Sequence, residues 1–269
     1  METDLALLRR VERQNLRFYE QAGVPRASSA ALGFARDLCS DLGLPTVVLH
    51  SALQLLDRSA QELGVDEGAI EVFAAACVFV AAKVELEPAA VPSLESVLAK
   101  LRSTPHGRVA AKTFQRLELG LLGILEWSAV SATCAHFLPS YARRLPDSGP
   151  LCGREGHSFL DHALLVVAEE RGRGRLSHPP SQVSATILYL TLAETMPSAR
   201  AAEAVEQVTG YGLDRDLGGC LEELERATTA WQRIRSKLPK GVSPRSTLNA
   251  PEDAGSPGSS VHPLGGATS

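Results

Sequence analysis

Aromatic side chains are scarce in this chain, at 5% of its 269 residues, and nowhere does a run of alternating β-branched residues appear between turn signals. Both shortages work against a β-sandwich or barrel, whose strands announce themselves by period-2 patterning. Positive charge is also wanting. The net charge is −4 and the pI is near 6.0, so no broad positive field exists to draw in phosphate backbones or anionic lipid, and neither nucleic acid nor a membrane is expected as a partner. No apolar stretch reaches membrane-spanning length. The opening segment, Met1 to Arg10, sets acids and bases beside Leu5, Leu7 and Leu8 rather than forming an apolar signal core.

The five cysteines (Cys39, Cys77, Cys134, Cys152 and Cys220) include no Cys-X-X-Cys pair. Cys39, Cys77 and Cys220 lie in helical apolar runs, where a thiol serves as a small hydrophobe, so free thiols in a reducing compartment are expected. Catalytic signatures are missing as well: no phosphate-cradling Walker loop, no strand-flanked GxGxxG, no HExxH, no GxSxG and no kinase catalytic set. An enzymatic reading has no anchor, and no cofactor is implied. His157 and His162 have no carboxylate or thiolate at ligand spacing and read as solvated histidines rather than a metal site. The run Arg171-Gly172-Arg173-Gly174-Arg175 reads as a charged loop.

What the chain has in quantity is Leu, Ala and Val at helical spacing, and the fold class this predicts is all-α. Helices are expected at about Ala30 to Leu42 (stopped by Gly43 and Pro45), Thr46 to Leu63 (stopped by Gly64), Glu67 to Leu86, Ser93 to Leu101 and Val109 to Leu125. The third is apolar on both faces: Ile70, Phe73, Ala74, Cys77, Ala81 and Val84 on one, Val72, Ala75, Ala76 and Phe79 on the other. It therefore belongs at the centre of a core. Ser93 is placed to cap the fourth. On the fifth, Phe114, Leu117, Leu121 and Ile124 form the buried stripe.

The second half repeats this order at an offset of about 100 residues. Helices are expected at Ala132 to Leu145, Phe159 to Glu170, Gln182 to Thr195, Ala199 to Val208 and Leu213 to Leu238. The division that follows is a partly helical N-terminal segment (1–28), a first five-helix unit (29–130), a second (131–238) and a disordered tail (239–269), poor in apolar residues.

Two charges interrupt this apolar pattern. Lys83 ends the run Val78-Phe79-Val80-Ala81-Ala82, and Glu118 breaks the stripe of Phe114, Leu117, Leu121 and Leu122. An unpaired buried charge is costly, so each must reach water, meet its opposite or await a partner molecule.

These residues resemble the cyclin box. Leu53-Gln54-Leu55-Leu56-Asp57-Arg58 is similar to the Y-[IL]-D-R-F segment of that family's second helix. Cys77 through Glu85 is similar to A-x-x-[LF]-[LV]-A-[SA]-K-[FY]-E-E on its third. Leu117-Glu118-Leu119-Gly120-Leu121-Leu122, with Leu125-Glu126-Trp127, is similar to M-E-x-x-[LV]-L … L-x-[FW] on its fifth, and Thr133, Phe137, Leu138 and Tyr141 resemble the T-x-x-x-F-L-x-x-Y opening of a second fold. The stretch Ser181 to Leu192 and the compact N-terminal segment look most like the J subgroup.

The resemblance implies two tandem five-helix cyclin folds and a regulatory subunit that binds and activates a cyclin-dependent kinase. In it Lys83 and Glu118 would bond the kinase, and Val84, Leu122 and Trp127 would line the apolar contact. It also implies a nuclear or cytoplasmic location. Ala27, Ala31 and Phe34 mark where a substrate-docking groove would lie, with side chains unlike the family's Met, Leu and Trp there. The alternative is a cyclin-fold adaptor, transcription-factor-like, with no kinase partner. A purely architectural helical protein would instead leave Lys83 and Glu118 solvated and apart, with no apolar patch beside them.

Overall fold

The structure is a computed structural model describing residues 2–20, 29–63, 69–104, 107–145, 151, 153–172, 177–226 and 228–237. The tail from 239 to 269, Cys152, the central Arg173-Gly174-Arg175 of the arginine run and Ala27 lie outside the described residues. Among those described there are helices and no strand.

In chain order the helices are α1 (Glu2–Glu20), α2 (Ser29–Asp41), α3 (Thr46–Leu63), α4 (Ile70–Glu85), α5 (Leu94–Leu101), α6 (Ala111–Ile124), α7 (Cys134–Ala142), α8 (Gly153–Gly172), α9 (Pro180–Ala193), α10 (Ser198–Thr209), α11 (Gly218–Arg226) and α12 (Thr228–Arg235). A 3-10 turn at Pro88–Ala90 precedes α5, and a π-turn at Leu213–Leu217 precedes α11.

The reason α4 lies at the centre of the first half is visible in its sequence. Eleven of its sixteen residues, the unbroken run Val72 to Ala82, are buried, so α2, α3, α5 and α6 can pack around it. Small residues at Ala74, Ala75, Ala76, Ala81 and Ala82 let those neighbours approach closely. The buried apolar residues of this half, from Ala31 to Ala129, form one cluster. Ser93 caps α5 as expected, its hydroxyl accepting the Ser96 N–H at 3.2 Å. The expected stripe on α6 is only half buried: Phe114 and Leu121 are enclosed, while Leu117 and Ile124 are partly exposed.

A second cluster runs from Ala132 to Ile234 around α9. Eleven of the fourteen residues of α9 are buried too, and it is packed by α7, α10, α11 and the π-turn. Five of those residues carry hydroxyls: Ser181, Ser184, Thr186, Tyr189 and Thr191. Ser184, Thr186 and Thr191 each donate to the carbonyl four residues back, at 2.8, 2.9 and 2.7 Å, which satisfies polar groups that burial would otherwise leave wanting.

The last helix expected from Leu213 to Leu238 opens as a π-turn at Leu213–Leu217 and passes directly into helix at Gly218–Arg226 and Thr228–Arg235, with Ala227 outside the described residues. Gly218-Gly219, poor helix formers, stand where the π-turn gives way to α-helix. The two halves meet where α2 and α3 touch α8 and α3 touches α7. Buried His50 reaches the Leu164 carbonyl at 2.9 Å, Arg36 pairs with Glu169 at 3.2 Å, and Glu85 accepts both from Ser51 (2.6 Å) and from His136 Nε2 (3.1 Å).

Candidate protein-interaction face

The helices α4 and α6 lie against each other, fixed by the buried Phe79 and Phe114, whose rings meet edge to face at 5.9 Å. That contact brings Lys83, in the last turn of α4, opposite Glu118 on α6. The two are ion-paired at 2.5 Å. The Lys83 ammonium also sits 4.2 Å from the centre of the Phe79 ring, a cation–π contact, and its alkyl stem leaves it 43% exposed, while Glu118 is 12% exposed.

Each charge thus meets its opposite within the chain rather than standing alone. The pair is still unfinished: an ammonium has three donors, and this one faces solvent beside the helix C-terminus.

Exposed apolar side chains lie on the same stretches of chain. Val84 is 40% exposed, Leu119 59%, Trp127 70% and Val130 57%. Val84 follows Lys83 directly and Leu119 follows Glu118. Leu122 lies one turn further along α6, partly buried against the first core, and its carbonyl accepts the Trp127 N–H at 2.8 Å. Exposed apolar side chains set in a rim of charge mark contact surfaces more often than free ones. Of the five residues that the resemblance assigned to a kinase contact, the structure pairs Lys83 with Glu118; Val84 follows Lys83 at the end of α4, Leu122 lies one turn beyond Glu118 on α6, and Trp127 is in the turn after α6.

Leu119 and Val130 were not foreseen. Leu119, between Glu118 and Gly120 on α6, gives no sign in the sequence that its side chain will stay in water.

Trp127 is displayed by an unusual backbone. Glu126 and Trp127 have φ of 49° and 60°, two consecutive non-glycine residues in the left-handed region, at a cost of roughly 1–2 kcal/mol each.

The residues marked for a docking groove fare differently. Ala31 is fully buried, and Phe34 is partly buried against the first core. Among the described residues no group of His, Cys, Asp and Glu is arranged to hold a metal; His162, noted in the sequence, bonds the Arg233 carbonyl at 3.1 Å. No described helix is long and apolar enough to cross a membrane.

Residues 13–129 match the family described as the cyclin N-terminal domain. Among curated proteins, the chain is 30% identical over 131 residues to Cyclin-D1-1 of Arabidopsis thaliana, covering 48% of this chain and 35% of that one. It is 29% identical over 146 residues to Cyclin-D4-1 of Oryza sativa subsp. japonica, covering 53% and 39%. The matched stretches thus span well under half the length of these relatives, and neither is of the J subgroup. A central α4 with its buried run and the ordered motifs on α3, α4 and α6 all lie within the stretch 13–129 that matches the cyclin N-terminal domain.

Proposed function

We propose that this chain is a regulatory subunit that captures and activates a cyclin-dependent kinase through the face built on α4 and α6. The observation that carries this reading is the Lys83–Glu118 ion pair, with Val84 and Leu119 exposed beside its members in sequence and Trp127 exposed in the turn after α6. A pair already formed is a rigid, oriented donor–acceptor array, and the apolar side chains beside it supply area to bury. Both properties suit a binder that selects one conformation of its partner.

Activation on this reading is a population shift. The face makes its full set of contacts only with the active arrangement of the kinase's mobile helix and activation loop, so binding favours that arrangement by the difference in contact energy. The match of residues 13–129 to the cyclin N-terminal domain and the likeness to Cyclin-D1-1 and Cyclin-D4-1 support the class of partner. An intracellular site of action, in nucleus or cytoplasm, follows from it.

Charge reversal tests the proposal. Lys83→Glu and Glu118→Lys, singly, are expected to abolish capture and activation of purified cyclin-dependent kinases while far-UV circular dichroism stays unchanged. Close charge pairs across an interface couple by about 1.5–7 kcal/mol, which is tenfold or more in affinity. The swapped double variant restores the internal ion pair and is expected to remain silent toward the kinase. If it still captures and activates one, the face has been misassigned.

A further inference from the structure

The turn after α6 is strained, exposed and tied to another helix. Leu125 and Ala129, both buried in the first core, anchor its ends, and between them Glu126, Trp127 and Ser128 are exposed. Three backbone bonds close it: Glu126 N–H to the Gly123 carbonyl (3.0 Å), Trp127 N–H to Leu122 (2.8 Å) and Ser128 N–H to Leu125 (2.8 Å). Those bonds close the loop but do not remove the crowding of two left-handed side chains, at φ 49° and 60°. What reaches the turn from outside is Arg58 of α3. Its guanidinium, in a residue only 7% exposed, donates from Nη1 to the Ser128 carbonyl at 2.9 Å.

A charged donor held in the core is a rigid device. Arginine presents its donors in a planar fork that cannot be deprotonated, and here one of them reaches a surface turn's main chain. A hydrogen bond from a charged group is among the stronger ones, and it can hold a backbone conformation that would relax if released.

We infer that Arg58, by gripping the Ser128 carbonyl, locks the left-handed Glu126-Trp127 turn and so fixes the direction in which Trp127 is offered to a docking kinase. Arg58 is a positioning residue that acts through the turn and does not touch the partner. The inference rests on the docking role of Trp127 proposed above, and its test separates the two.

If the competent turn becomes a fraction of the population, apparent affinity falls by that fraction, and losing a charge-assisted bond is enough to cost about ten-fold. The test uses the full chain with Trp231→Phe, so that Trp127 is the reporting tryptophan. Time-resolved fluorescence anisotropy of Trp127, with no kinase present, is compared between Arg58 and the variants Arg58→Met and Arg58→Lys. The local motion of Trp127 is expected to widen in both, less in Arg58→Lys, which keeps a cation and an alkyl stem and guards against a Met variant that fails to fold. Unchanged Trp127 motion in a folded Arg58→Lys or Arg58→Met protein overturns the inference.

Capture of the kinase bound best by the parent chain is expected to weaken about ten-fold with Arg58→Met. Adding Glu126→Gly, which accepts a left-handed φ without crowding, is expected to shrink that loss to about three-fold or less. A loss that Glu126→Gly leaves untouched also overturns it, because Arg58 would then act on something other than the strained turn. Trp127→Ala that captures kinase normally would sink the docking reading while leaving the anisotropy result to stand by itself.

Discussion

Glu12 of α1 closes the N-terminus of α9 from 169 residues away: its carboxylate accepts the Ser181 N–H at 2.8 Å and the Ser181 hydroxyl at 2.7 Å. Pro180 has no N–H to satisfy and Pro179, at the cap position, has no side chain that can accept, so the buried helix end has no local cap. Arg9, one turn earlier on α1, completes the joint. It donates to the Tyr211 hydroxyl (2.6 Å), the Tyr141 hydroxyl (3.1 Å) and the Thr209 carbonyl (2.7 Å), and Tyr211 in turn meets Ser181 at 2.7 Å. Glu12 and Ser181 are both buried, so these bonds have no water to replace them.

Glu12→Ala is therefore expected to destabilise the protein by about 2–3 kcal/mol, the combined effect of a lost cap and a buried N–H and hydroxyl left without an acceptor. Glu12→Gln, which keeps one oxygen, should cost about half as much. Urea unfolding measures both, and a variant as stable as the parent chain would mean that α1 is not holding α9.

Phe114 is fully buried and makes the edge-to-face contact with Phe79 on which the Lys83–Glu118 pair is mounted. Phe114→Ala should cost about 3–5 kcal/mol from lost transfer energy and the cavity left behind. The ion pair itself, with Lys83 nearly half exposed, should contribute less than about 1 kcal/mol to stability. Differential scanning calorimetry of Phe114→Ala and of Lys83→Met is expected to show a large loss in the first and little change in the second. Equal losses would contradict the ranking.

Acid stability is expected to depend on Glu169. Partial burial works to raise its pKa, but the hydrogen bonds and charges of Arg233 and Arg36, at 2.9 and 3.2 Å, outweigh that and hold the carboxyl below its ordinary value. A group whose folded pKa is depressed stabilises above its unfolded pKa and loses that contribution as pH falls through the folded one. Glu169→Gln should thus be less stable at neutral pH, by on the order of 1 kcal/mol, and the gap should close as pH falls below about 4. Guanidinium is unsuitable because its salt screens the pair, so the measurement is urea unfolding across pH. A gap that stays constant with pH would place the effect in packing rather than charge.

The buried thiols should be unreactive in the folded state. Burial pushes the thiols of Cys39 and Cys220 up to about 12, and raises that of Cys77 further. Iodoacetamide at pH 8 is expected to spare these three until denaturant is added, because the thiolate is the nucleophile. Mass spectrometry of peptides reads the outcome, and rapid labelling of Cys39 in the native protein would show that α2 opens readily.

Much of the architecture was legible because it is local. Gly43 and Pro45 end α2, Ser93 caps α5, and the unbroken apolar run from Val72 to Ala82 can only be a helix enclosed on all sides. The ordered motifs around Asp57-Arg58, Lys83 and Glu118 pointed to the cyclin N-terminal domain that residues 13–129 match, since they are spaced along the chain and need no contact to be read. The apolar period across Leu213 to Leu224 was read as helix and is helical, and what it did not show was the wider π-turn with which that helix opens.

What sequence determined, then, was which segments are helical and which of them must be central, since period, breakers and caps act over a few residues. Only the tertiary structure decided that Lys83 and Glu118 satisfy each other, that Glu12 caps a helix 169 residues distant, and that Arg58 bonds the Ser128 carbonyl beside Trp127. Those relationships depend on which helix faces meet. That choice is made by packing the whole core, where many weak contacts are satisfied together and no single stretch of chain specifies the pairing.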